Sequence, residues 1–369
     1  LTKKSLGQDE PGTAGAFVLE HSSELAEGAA VNGLPEAMLD RRRVAGKKKR
    51  AQQRGPGKEE GAVTTTPNLP AVPTPAVSPE KLVTLRNILL ATDFSSYSDR
   101  ALGYALSITR RYQSKLYIAH IIETSVMGLV PPEAVEPTLR MLRQTAEASM
   151  RKWAISRKLR GVPFEQLVEE GPIWPTLESM IRGYGIDLVV MGTHGRTGIQ
   201  KLLLGSIAEQ VFRMTSCPVL TVGPAAKDEQ HTEEDFARIL YATDFSPESE
   251  RAAAYALSLA QEHQAELTLL HVVEDVSNVT PEGSVLLREY FTKRLRKLVP
   301  TNAAFWCNLR YEVQFGEPVD TILQQAARQD AHLIVLGVKG GSNFPGHLPP
   351  ATAYRVVCQA PCPVLTIRG

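Results

Sequence analysis

The sequence is poor in cysteine, with four in 369 residues: Cys217, Cys307, Cys358 and Cys362. Four scattered thiols do not make a disulfide framework. Cys358 and Cys362 stand close together, but no histidine or second cysteine pair adjoins them to complete a tetrahedral metal site. They read as small buried apolar residues in a reducing setting. A surplus of one charge is also missing. Lys and Arg total 41 against 40 Asp and Glu, a net charge of +1, so the chain as a whole carries no electrostatic footprint for nucleic acid or an anionic membrane. No apolar run approaches the ~20 residues that span a bilayer, and the first residues lack the apolar core of a signal peptide. These absences set an expectation of a cytoplasmic protein without a membrane partner, and nucleic acid is a disfavoured one. Also missing are a G-x4-G-K-[ST] loop, a G-x-S-x-G elbow and an H-E-x-x-H helix, which excludes the chemistries those motifs serve.

What is present falls into unlike parts. Residues 1–81 hold Arg41-Arg42-Arg43, Lys47-Lys48-Lys49-Arg50 and a Pro/Thr-rich run from Thr64 to Pro79. Such a segment buries too little apolar surface to offset chain entropy, so it is expected to be a disordered basic and proline-rich tail. From about residue 82 short apolar runs alternate with amphipathic stretches. Asn87 to Thr92 reads as a buried strand, Arg100 to Ile108 as a helix, Lys115 to Ile122 as a strand and Glu133 to Lys158 as a long helix. Strands then follow near Phe164, Asp187 and Pro218, with helices from Trp174 and Ile207 between them. Strict alternation of this kind implies an α/β fold, a parallel sheet covered by helices on both faces.

The pattern then begins again. Ile239 to Ser246 repeats Ile88 to Ser95, Arg251 to Ser258 repeats Arg100 to Ser107, and Cys362 to Ile367 repeats Cys217 to Val222. Landmarks kept in order across the whole length mark a duplicated domain. The division expected is 82–225 for the first domain, 226–235 for a linker and 236–369 for the second. The strands Val219-Leu-Thr-Val222 and Val364-Leu-Thr-Ile367 read as sheet edges in want of a partner, to be met by pairing of the two domains or by a homodimer through these fifth strands.

Two places in the first copy carry chemistry. Asp93 ends the first strand, and Gly192, Gly195, Gly205 and Ser206, spaced G-x2-G-x9-G-S, follow the fourth. Open α/β sheets bind ligands beyond the carboxyl ends of strands where the winding reverses. Glycines let backbone amides approach an anion, and a helix opening at Ser206 adds its first N–H groups and dipole. Asp93 accepts hydrogen bonds from a ribose hydroxyl or an exocyclic amine. The combination describes a nucleotide, its phosphates at the glycine loop. His194, Arg196 and Lys201 add charge in that loop but read as solvated cations. His120 and His271, at matching places in the second strands, read as packed or hydrogen-bonded residues before metal ligands, and Trp153, Trp174 and Trp306 as packing residues.

Ala91-Thr92-Asp93, the glycine spacing ending in Ser206, and Cys217-Pro218-Val219-Leu220 resemble the universal stress proteins. The likeness extends from about residue 85 to 369. It implies two tandem Rossmann-like domains of the adenine nucleotide alpha hydrolase type, each a five-stranded parallel sheet in order 3-2-1-4-5. It further implies ATP, with or without Mg2+, or another adenine nucleotide as ligand, and a stress-response role. By position, Thr92 and Asp93 are expected near the adenosine and Ile121 at the base. Met191 and Gly192 are expected at the pocket floor, and Gly195, Gly205, Ser206 and Ile207 around the phosphates. No residue is identified as catalytic. Slow ATP hydrolysis and an interaction module with an empty site remain the alternatives. The second copy keeps Asp244, Gly337 and Gly340, but Pro350-Ala351 stand where the first has Gly205-Ser206. Proline donates no N–H, so nucleotide binding there is expected to be weak or absent.

Overall fold

The computed structural model describes residues 83–155, 159–194, 204–226, 236–274, 279–339 and 352–368. The expected tail, Gly195, and the linker beyond Ala226 lie outside the described residues, as do Gly340 and Pro350-Ala351.

The first half opens with β1 (Asn87–Ala91), whose Ile88, Leu89 and Leu90 are fully buried. A run apolar on both faces is what a strand between two helical layers requires. It leads into α1 (Ser96–Tyr112), N-capped by Ser95, whose hydroxyl accepts from the Ser98 amide at 3.3 Å. Ala101, Leu102, Ala105 and Leu106 form its buried face, as their spacing requires. Next come β2 (Lys115–Glu123), α2 (Pro132–Ile155), β3 (Phe164–Gly171), α3 (Ile173–Gly183), β4 (Leu188–Gly192), α4 (Ser206–Met214) and β5 (Val219–Val222). The second half repeats the series as β6 (Arg238–Ala242), α5 (Pro247–His263), β7 (Glu266–Val273), α6 (Pro281–Lys297), β8 (Asn308–Phe315), α7 (Pro318–Arg328), β9 (Leu333–Val338), α8 (Thr352–Gln359) and β10 (Val364–Arg368). Ser246 caps α5 with Pro247 in its first turn, as the sequence leads one to expect.

The sheet order is β3-β2-β1-β4-β5-β10-β9-β6-β7-β8. Each half therefore runs 3-2-1-4-5, and all pairs within a half are parallel. The halves meet edge to edge, because β5 and β10 pair antiparallel. The register is self-complementary: Leu220 faces Leu365, while Val219 faces Thr366 and Thr221 faces Val364. Matching residues of the two copies thus sit across a local twofold. Two side-chain bonds obey it, with the Thr221 hydroxyl donating to the Val364 carbonyl (3.1 Å) and the Thr366 hydroxyl to that of Val219 (3.3 Å). Leu220 and Leu365 are almost fully buried, each contributing roughly 1.5–3 kcal/mol by leaving water. The apolar layers on the two sheet faces both continue across this seam. One joins Leu90, Leu102 and Met150 to Tyr241 and Leu257; the other joins Val189, Leu177 and Val211 to Leu336 and Val356.

Candidate functional site

Strands β1 and β4 are neighbours in register from Ile88/Leu188 to Ala91/Met191. Beyond that point β1 turns into α1 and β4 leads toward α4, so the chain parts to either side and leaves a crevice. A cavity of about 200 Å³ opens there. Thr92, Asp93, Ile121, Met191, Gly192, Gly205, Ser206 and Ile207 all line it. Of the residues expected at a nucleotide, only Gly195 is not among them, since it lies outside the described residues.

The wall at Asp93 is a tight turn. Asp93 Oδ1 accepts from the Ser95 amide at 3.0 Å, and the Thr92 hydroxyl accepts from the Phe94 amide at 2.9 Å. Between them Phe94 adopts φ 61°, a left-handed conformation that a bulky residue holds only when its surroundings fix it. Phe94 is fixed by its ring, 4.7 Å from that of His120 and 5.6 Å from that of Trp153 between centroids. His120 Nδ1 donates to the Thr92 carbonyl at 2.8 Å, which sets the tautomer. This histidine therefore organises the turn, and no group of three or more His, Cys, Asp or Glu suited to a metal occurs among the described residues.

The opposite wall is the entry to α4. Gly205 is the N-cap and supplies no side-chain hydrogen bond. Ser95, Ser246, Thr280 and Glu317, by contrast, cap α1, α5, α6 and α7 with their side chains. The leading amides of α4 thus border the cavity, and among the described residues no N-cap side chain satisfies them; an anion there gains from both the amides and the helix dipole. The Gly205 amide donates to the Thr193 carbonyl at 2.8 Å, tying the two ends of the intervening loop together.

Gly192 has a different reason to be glycine. A Cβ added there would lie 3.0 Å from Tyr97 Cβ and 3.1 Å from the Tyr97 carbonyl carbon, so its bareness admits the first turn of α1. Its φ is not left-handed and its neighbour is protein, so close approach to an anion is not what requires this glycine. The loop cations also divide unexpectedly. His194 is buried, at 9% exposure, and its Nδ1 lies 2.9 Å from the hydroxyl of the fully buried Thr193. It is packed beside Tyr97, with ring centroids 5.5 Å apart, and is not exposed to solvent as a loop residue would be. Arg196 and Lys201 lie outside the described residues.

Between the two polar walls the lining is apolar, with Ala119, Ile121, Ile173, Leu177 and Met191. A flat heterocycle fits such a surface better than a charged one does. Ile173 and Leu177 come from α3 and escape a motif search because they are ordinary helix residues. The signal that places them is topological: α3 lies on the sheet face that Leu89, Val189 and Met191 share. Glu123, at the end of β2, accepts from the Ser125 amide at 2.8 Å and the Ile173 amide at 3.3 Å. Chiefly through its bond with Ser125, its carboxyl is held below the usual carboxylate range. Glu123 thereby does for α3 what Pro172 at the N-cap, with no capping side chain, does not.

The matching turn in the second half is built in the same way. Asp244 Oδ1 accepts from the Ser246 amide at 2.9 Å and from the Ser249 hydroxyl at 2.5 Å. Burial works to raise this carboxyl, and the bonds from Ser246 and Ser249 outweigh it and hold the group low. A Cβ on Gly337 would lie 2.5 Å from the Glu248 carbonyl carbon, so that glycine is also kept by packing. Helix α8 begins at Thr352, which is exposed.

The model of the universal stress protein family matches residues 84–223 and 235–368. A universal stress protein of Mycobacterium tuberculosis is 25% identical over 303 residues, which cover 76% of this chain and 96% of that protein. One of Thermus aquaticus is 36% identical over 142 residues, 36% of this chain and 99% of its own. The crystal structure of a universal stress protein from Archaeoglobus fulgidus covers 76% of this chain and 98% of its own with a TM-score of 0.57 at 21% identity, a likeness of fold.

Proposed function

The chain belongs to the universal stress protein family, and from that membership we propose that its first half binds ATP or a related adenine nucleotide and acts as a stress-response regulator in the cytoplasm. One observation carries this reading: a single cavity joins Asp93 to a helix N-terminus whose N-cap, Gly205, offers no capping side chain. Its lining supplies a carboxylate for a ribose hydroxyl or an exocyclic amine, apolar surface for the base and backbone amides for the phosphates. Thr92 and Asp93 would hold the adenosine, Ile121 the base and Met191 with Gly192 the floor. Gly205, Ser206 and Ile207 would hold the phosphates, joined by Gly195 from the loop. An anion at such an N-terminus contributes roughly 0.3–1 kcal/mol, up to about 2 where partly buried. A bound Mg2+ would neutralise phosphate charge that these amides leave over.

The division into domains 82–225 and 236–369 belongs to the same reading, as does a second domain that binds nucleotide weakly or not at all. The self-complementary β5–β10 register supports a view of the chain as an internal pseudo-dimer.

Mass spectrometry of small molecules released from the purified full chain, followed by incubation with ATP and Mg2+, tests the reading. Adenine nucleotide in the released fraction and ATP that stays intact are the expected results. ADP accumulating above a Gly205→Val control would make the protein a slow ATPase instead. A protein that neither carries nor takes up nucleotide would contradict the proposal.

A further inference from the structure

Helix α4 touches both the cavity and the second half. Its first turn lines the cavity through Ser206, Ile207 and Ala208. Its far end is met from across the seam, where the Arg368 guanidinium at the end of β10 donates to the Arg213 carbonyl in the last turn. A cation at a helix C-terminus complements its dipole. Its flank is met by α8, with the Phe212 and Tyr354 rings edge to face at 5.9 Å. Leu204, Ala208, Val211 and Phe212 share one apolar cluster with Ala353, Val356, Val357 and Cys358.

The contact reaches the residue just before the N-cap. Burial pushes both the Tyr354 phenol and the Cys358 thiol up, and the Leu204 backbone amide works against that shift in each. Leu204 and Cys358 belong to one apolar cluster, with Tyr354 packed against it. Leu204 is itself buried, and Gly205 follows it directly. The approach to the phosphate side of the cavity is therefore braced by residues of the other copy.

Resting on the nucleotide reading above, we propose that Tyr354 and Arg368 are positioning residues for the first-half site: the second half, degenerate as a binder, sets the orientation of α4 toward the phosphates. This gives the duplicated copy a task that its own loop does not need glycine to perform. Neither residue lines the cavity, so each acts through the helix. The base and ribose walls are built from β1, β2, β4 and α3.

The dependence on phosphate makes the proposal testable. Calorimetric titration of the full chain with ATP and with adenosine compares the wild type with Tyr354→Ala, Tyr354→Phe and Arg368→Ala. Tyr354→Ala and Arg368→Ala are expected to weaken ATP by about five- to tenfold while leaving adenosine binding unchanged. Tyr354→Phe, which keeps the ring on Phe212, is expected to recover most of the loss. Unchanged ATP affinity in both truncations, or equal losses for ATP and adenosine, overturns the positioning role. A wild-type protein that binds neither ligand removes the nucleotide reading, a failure told apart from the first because it precedes any substitution.

Discussion

Gly192 and Gly337 occupy matching places, and both are glycine because α1 or α5 passes too close for a side chain. The expected cost of adding a methyl group follows from those distances. Gly192→Ala asks Tyr97 to give by a few tenths of an ångström, whereas Gly337→Ala drives a carbon into the backbone of Glu248 and Ser249. Overpacking costs about 1–3 kcal/mol, so urea unfolding should place Gly192→Ala near the lower end and Gly337→Ala at or above the upper. Equal losses, or a larger loss at Gly192, would contradict the packing role. The spacing of these glycines was legible in the sequence, but their purpose was not, because a motif records where backbone is bare and not what approaches it. His194 misled for a similar reason: a histidine in a polar loop reads as solvated until the loop's ends are seen to fold it under Tyr97.

His271 gives a pH test at the same scale. Burial pulls its ring below the usual 6.5, against the Thr243 carbonyl bond, which favours the charged form, while Arg294 adds to the lowering. Folding therefore prefers the neutral ring, and the unfolded chain takes up the proton first. Stability from this group is complete above pH 6.5 and is lost as pH falls below it toward the folded value. His271→Asn keeps a donor for the Thr243 carbonyl and should flatten the fall in unfolding free energy as pH drops below 6.5. Identical slopes in the two proteins would remove His271 as the cause.

Among the elements, the strands were read with little error because the interior of a parallel sheet tolerates only apolar runs, and Ile88 to Leu90 or Val189 to Met191 have no other reading. Helix ends were less legible. The long helix read from Glu133 begins at Pro132, and α3 begins one residue before Trp174. These boundaries depend on caps supplied from elsewhere in the fold, such as Glu123 reaching the Ile173 amide. The register of β5 against β10 was not legible at all: apolar alternation marks an edge but not the residue opposite. In that register Leu365→Ala removes a side chain facing Leu220 on the local twofold. The expected cost is about 2–5 kcal/mol, with Leu220→Ala matching it within about 1 kcal/mol because the two sites are equivalent. Thermal unfolding of the pair checks this, and a large cost at one site alone would argue against a symmetric seam.

At the level of the whole molecule, duplication has left two halves alike in strand order. Helix α4 starts at a side-chain-free cap beside a cavity, while Asp244 spends its carboxylate on Ser246 and Ser249. The most direct measurement is the stoichiometry of ATP binding to the full chain by calorimetry. One site per chain is expected, lost in Gly205→Val, whose backbone at φ −59° accepts a side chain without strain, and retained in Asp244→Asn. Two equivalent sites, or a single site abolished by Asp244→Asn and indifferent to Gly205→Val, would contradict the account.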